Sequence, residues 1–185
     1  MLNSAKFIWL NKEIYPLLQD SCVSVFSKDR KKYRFGVAAF KKSLEFEKKI
    51  VKAEIEVFGD TRFYLWQNGN FVGTGPCPTG GDYEMPYQYS SKYDVDINRK
   101  SIELYARVQL TPVQETDNSK CKGGFIMSAR LAFEDGTEKV VFTDETWLAR
   151  RENEYLAPWC MDYTRKRDEW RNAVAVDSVW TVVPS

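Results

Sequence analysis

The strongest constraint on this chain is alternation with a period of two. In SIELYARVQL, Ile102, Leu104, Ala106, Val108 and Leu110 fall on one side, and Ser101, Glu103, Tyr105, Arg107 and Gln109 on the other. A β-strand with one buried face requires that order. KAEIEVF repeats it, with Ala53, Ile55 and Val57 opposing Lys52, Glu54 and Glu56, so Glu54 and Glu56 are expected to face water. In FIMSARLAF, Phe125, Met127, Ala129, Leu131 and Phe133 share a face. Turn signals separate such runs. Asn68-Gly69 lies between apolar runs in FYLWQNGNFVG, and Asn-Gly suits the positive φ angles of a type I′ hairpin turn. Asp135-Gly136 marks a second hairpin. VAAFKKSLEFEKKI reads two ways, as an amphipathic helix or as a strand with Phe40, Leu44 and Phe46 together. Its surroundings are all-β, and the strand is the reading adopted.

Composition narrows the function classes. The 185 residues fit one domain of ordinary size, able to bury a core without disulfides. Hydrophobic residues at 43% argue against disorder. Aromatics at 15% suit strands and surfaces that stack on sugar rings. The net charge of +1 points to neither nucleic acid nor a membrane surface as partner. The basic run Lys28–Arg34 reads as a solvated loop. With no histidine, Ser-His-Asp and Cys-His machinery and histidine metal sites are excluded. Cys22, Cys77, Cys121 and Cys160 are widely spaced without a C-x-x-C, so zinc and redox motifs are unsupported. They read as small buried hydrophobes. No apolar run is long enough for a signal peptide or a membrane span, and the expectation is a cytoplasmic chain with reduced thiols. No cofactor is expected.

Two loops are long: Gly73–Tyr89, rich in glycine and tyrosine, and the polar Leu110–Gly124. Beyond Trp147 the chain is irregular, with a helical turn expected near Asp162–Trp170.

The order of these elements resembles the N-terminal β-sandwich of bacterial α-L-rhamnosidases and related glycosidases. The residues carrying it are Phe40, Lys41, Ala53, Arg62, Tyr64, Trp66, Asn68, Gly69, Gly73, Gly75 and Pro76 in the first part. Tyr89, Tyr93, Asp94 and Val95 follow in YSSKYDVDI, then Thr143, Asp144 and Trp147 in TDETWLAR. The resemblance covers about residues 37–150. It implies an antiparallel, jelly-roll-like sandwich of the galactose-binding-domain type with irregular terminal extensions. The expected divisions are an N-terminal extension over 1–36 packing on the sandwich, the sandwich over 37–150, and a segment over 151–185 leading towards a catalytic domain. It further implies a non-catalytic accessory domain, the catalytic carboxylates lying on an α/α-barrel absent from these residues. The implied partners are that catalytic domain and rhamnose-containing glycans. A stand-alone module for such glycans is the alternative.

Candidate sites follow from residue types in loops. Tyr83, Tyr87 and Tyr89 with Asp82 and Glu84 offer aromatic faces for sugar C–H groups and carboxylates for hydroxyls. Tyr155, Trp159, Tyr163 and Trp170 lack an obvious place in strand alternation and are the candidate docking surface for a further domain. Glu54 and Glu56, Asp94 and Asp96, and Asp144 and Glu145 show no pairing that marks a catalytic site, and read as solvated carboxylates. Asp117 with Asn118, and Asp94 with Asp96, supply oxygens of the type calcium takes, but without EF-hand spacing no metal site is assigned.

Overall fold

A computed structural model describes residues 2–11, 35–60, 62–75, 87–110, 123–157, 160–177 and 181–184. Among them, helix is confined to one 3-10 turn, Leu2–Ser4. The strands are β1 Ile8–Trp9, β2 Gly36–Gly59, β3 Arg62–Gln67, β4 Asn70–Gly75, β5 Tyr87–Leu110, β6 Phe125–Phe133 and β7 Glu138–Phe142. They continue with β8 Leu148–Arg151, β9 Tyr155–Ala157, β10 Cys160–Met161, β11 Arg171–Asn172, β12 Val174–Ala175 and β13 Thr181–Pro184.

VAAFKKSLEFEKKI is strand, as adopted. It does not end before KAEIEVF. Both runs belong to β2, which has 24 residues, and YSSKYDVDI likewise runs on into SIELYARVQL within the 24-residue β5. Fully extended, such strands would reach about 80 Å, far beyond one compact core. Each is therefore interrupted. The β2–β5 register shifts between Glu45 and Ile50 and again between Ile50 and Lys52. Facing this break, Asn98 on β5 has φ of 52°. Parity changes at the second of these shifts. Core residues on β2 are Ala38 and Phe40 before the break, Ile50 between its two shifts, and Ala53, Ile55 and Val57 after it. On β5, Ile97 precedes the break, and Ile102, Leu104, Ala106, Val108 and Leu110 follow it. An extra residue re-aims the pleat, so one face stays in the core while the strand turns.

The halves then serve two layers of an antiparallel β-sandwich. The first half of β2 lies between β8 and the second half of β5, with β3 and β4 beyond. Its second half lies between β6 and the first half of β5, with β7 beyond β6. β1 bridges β6 and β12, and β13 runs parallel to the start of β5. Across the core, Phe40 stacks on Phe125 at 4.9 Å, and Trp9 and Trp147 pack on either side of this pair. Trp147 is fully buried in the core, where its Nε1 donates to the Phe142 carbonyl.

The Asn68-Gly69 turn has φ of 47° and 80°, the positive pair of a type I′ hairpin. At the second hairpin only Gly136 is positive, and Phe133 N donates to Thr137 O, a longer turn closed by a left-handed glycine.

Three expectations are corrected. Glu56 is buried and accepts a 2.7 Å bond from Ser90 Oγ. The outer face of β2 is covered there, because β13 lies beside Ser90 while Leu2, Phe58, Ile126 and Val182 form a second small cluster. Alternation identified the two faces but not this cover. The helical turn near Asp162–Trp170 is absent: Asp162 Oδ1 instead accepts from Thr164 N and Oγ1, an Asx-type turn, and irregular chain leads on to β11. Cys160 is exposed on the short β10. The other cysteines lie outside the described residues.

Candidate functional site

Residues that alternate with the core point to the outer face of the β8–β2–β5–β3 layer. Tyr64 and Trp66 alternate with the buried Phe63 and Leu65, and Tyr105, Arg107 and Gln109 with Leu104, Ala106 and Val108. Pairing sets them in transverse rows. Trp66 stands opposite Tyr105, which stands opposite Lys41; Tyr64 stands opposite Arg107, then Ala39, then Arg150. Ala39 and Val37 are the small members of this face. A cleft of about 210 Å³ opens among Val37, Tyr64, Trp66, Arg107, Gln109 and Tyr155. It is smaller than a drug-sized pocket, at roughly 300–1,000 Å³, and suits one small ring.

Arg107 is its centre. The guanidinium carbon lies 5.4 Å from the Trp66 ring, 5.7 Å from Tyr105 and 5.6 Å from Tyr155. Such distances allow cation–π attraction. Nε donates to Tyr105 Oη at 3.0 Å and Nη1 to Tyr155 Oη at 2.8 Å. Among the described residues, Nη2 has no hydrogen-bond partner. Behind Arg107, Glu152 Oε2 lies 3.8 Å from Nε. The Glu152 carboxylate is buried, taking Arg150 Nε at 2.8 Å and standing 3.3 Å from Arg167 Nε. Arg167 also binds Glu154.

The protonation equilibria reflect this crowding. Burial pushes the Glu152 carboxyl up, against the pull of Arg150 and with the like charge of Glu154 adding to the rise. Burial also raises Glu154, but a backbone hydrogen bond and Arg167 outweigh it and hold that carboxyl low. The phenols of Tyr105 and Tyr155 are pushed up, mainly by burial. For Arg107, burial opposes the charge, but the Tyr105 hydroxyl, Tyr155 and Glu152 more than restore it.

Chemically, this arrangement offers aromatic faces and polar edges around an opening of one-ring size. Tyr64 and Trp66 lie 28° from parallel with centroids 6.4 Å apart, a shared aromatic surface. Arg107 and Gln109 add polar edges. Glu152 is buried, bonded to Arg150 and not among the described residues that line the cleft.

The structure treats the anticipated residues unequally. Tyr155 forms a wall of the cleft. Trp170 is half-buried on the same face, 4.7 Å from Lys41 Nζ, 4.3 Å from the Arg150 guanidinium carbon and edge-on to Tyr105. Tyr163 is 83% exposed and does not line the cleft. Tyr89 is exposed on the first half of β5, beside β13, in a different part of the strand from Arg107. Tyr87 starts β5. Asp82, Tyr83, Glu84 and Trp159 lie outside the described residues, as do Asp117 and Asn118. Among described residues no His/Cys/Asp/Glu group is arranged to hold a metal, and Asp94 pairs with Lys52 at 3.2 Å. Sequence reasoning passed over Arg107, Gln109, Tyr64 and Glu152. The signal for the first three was the outward set of SIELYARVQL and of RFYLWQ, the first arm of the Asn68-Gly69 hairpin.

Among solved structures, residues over 97% of this chain superpose on 22% of the α-L-rhamnosidase from Dictyoglumus thermophilum, with a TM-score of 0.65 and 15% identity. All of the chain superposes on 20% of the GH78 family rhamnosidase of Bacillus sp. GL1, with a TM-score of 0.60 and 16% identity. The fold is shared with rhamnosidase and lectin β-sandwich domains. The lectin is that of Pleurotus ostreatus in complex with GalNAc, matched over 96% of this chain and 43% of the lectin chain, with a TM-score of 0.63 and 18% identity. The chain thus spans under half of the lectin and about a fifth of each rhamnosidase. No protein-family profile and no curated relative matches it. The family resemblance seen in the sequence and these structural likenesses agree on the fold.

Several residues that carry the resemblance have architectural roles. Thr143 Oγ1 accepts from Met127 N and donates to Lys6 O, tying the N-terminal segment to β6. Gly73 admits the Tyr93 ring, which would stand 2.3 Å from any Cβ placed there.

Proposed function

We propose that this chain is a non-catalytic, carbohydrate-contacting β-sandwich domain of an α-L-rhamnosidase-like glycoside hydrolase. One observation carries the reading: a sandwich of the rhamnosidase and lectin type bears an aromatic cleft of one-ring size on a sheet face. Trp66 and Tyr64 stack on sugar C–H faces, and Arg107 and Gln109 bind hydroxyl or other polar groups. Trp170 and Tyr155, folded onto the same face, link the cleft to the C-terminal segment, through which the domain frames a catalytic partner. The carboxylates here stabilise arginines and do not attack a glycosidic bond.

The test joins two assays on the purified chain. Calorimetric titration with rhamnose and rhamnose-containing oligosaccharides should show saturable binding, lost in Trp66→Ala. Aryl α-L-rhamnosides should not be hydrolysed. Binding that survives Trp66→Ala, or turnover abolished by replacing a carboxylate of this chain, contradicts the proposal. The lectin likeness favours a second reading, in which the chain captures glycans by itself. That reading predicts unchanged affinity when a catalytic domain is attached.

A further inference from the structure

The geometry points to an acidic sugar, a hexuronate, as the ring that the Trp66–Arg107 cleft prefers. The inference rests on the reading of this cleft as a carbohydrate contact and adds the chemical class of ligand. Three observations carry it. First, the linked network behind the cleft contains Lys41, Arg107, Arg150 and Arg167 against Glu152 and Glu154, an excess of positive charge. Second, both carboxylates are buried beneath the surface while Arg107 lines the opening with a quarter of its side chain accessible, 26%. The charge that a ligand meets is therefore cationic. Third, the two tyrosine hydroxyls occupy Nε and Nη1 and hold the guanidinium in one orientation. Its remaining terminal nitrogen has no partner among the described residues. A preorganised guanidinium with free N–H groups suits a carboxylate, and the planar fork binds it more strongly than it binds a neutral hydroxyl. Tyr64 and Trp66 on the adjoining strand would take the sugar ring while Arg107 takes the carboxylate. Gln109, which lines the same opening, supplies an amide for a ring hydroxyl.

Isothermal titration of the chain with glucuronate and with glucuronate methyl ester tests this, because the two share the ring and differ in the charge. The acid should bind about tenfold more tightly than the ester, the difference expected between a charged and a neutral hydrogen-bond partner. Raising the salt concentration should weaken the acid and leave the ester unchanged. Arg107→Gln should bring the acid to the level of the ester, with circular dichroism confirming the fold. The acid–ester comparison uses the unaltered chain and decides the question even if that variant does not fold. Equal affinities overturn the acidic preference while leaving the carbohydrate contact intact. A preference that persists in a folded Arg107→Gln overturns the assignment to Arg107. No saturable binding of glucuronate, its ester or rhamnose overturns both this inference and the reading beneath it.

Discussion

Gly69 is a residue whose only task is backbone shape. Its φ is 80°, and a Cβ there would meet nothing within 4 Å. Gly69→Val should therefore cost about 1–2 kcal/mol from backbone strain alone. Urea unfolding measures it, and an unchanged midpoint contradicts the type I′ geometry. Glu152 is the opposite case, a charge deep in a polar network facing Arg107, Arg150, Arg167 and Glu154. Its carboxyl titrates above the ordinary value, so the folded state holds that proton more tightly than the unfolded chain. Stability from this group is present below its ordinary pKa and is lost as pH rises through the raised one. Glu152→Gln cannot ionise and should gain on the unaltered chain as pH rises from about 4 towards 7, a window starting at the ordinary carboxyl value. Unfolding free energies of both proteins across that range check it, and a constant difference contradicts it.

At the scale of elements, two long strands and their facing interruptions make the sandwich. Asn98 is exposed, so its positive φ of 52° is its structural contribution. Asn98→Val should cost about 1–2 kcal/mol, whereas Asn98→Gly should stay within about 0.5 kcal/mol. Thermal melts of the two variants check the ordering, and equal losses contradict a backbone origin. This interruption was hard to read in advance. Alternation in KAEIEVF and SIELYARVQL identified the buried faces, because burial of one face enforces period two. The stretch from Phe46 to Ile50 mixes apolar and lysine residues just ahead of a parity change, and there the same pattern fits a helix or a strand. Glu56 was misassigned for a related reason. Alternation assigns a side of the sheet, while β13 and Leu2, remote in sequence, decide whether that side is covered.

For the whole molecule, the elements combine into a core of Trp9, Phe40, Phe125 and Trp147 and an outer sheet face bearing Tyr64, Trp66 and Arg107. Phe40 and Phe125 were legible in that core because they recur with aliphatic residues at strand spacing, whereas Trp9 and Trp147 stand outside any long alternating run. The cleft was not legible, because it depends on the lateral register of β8, β2, β5 and β3 and on the return of Tyr155 and Trp170 from the tail. Loops and tail drew attention as sites for their residue types, whereas the cleft uses outward residues of the most regular strands. On the proposed reading a sugar ring sits on this face, against Trp66. Nitrogen-15 NMR of the chain titrated with rhamnose and with glucuronate tests it most directly. Saturable shifts of the Trp66 indole N–H and of the Arg107 and Gln109 amides are expected, with Tyr89 and Tyr163 unmoved. Saturable shifts centred on Tyr89 or Tyr163, with the Trp66 indole unmoved, would contradict it.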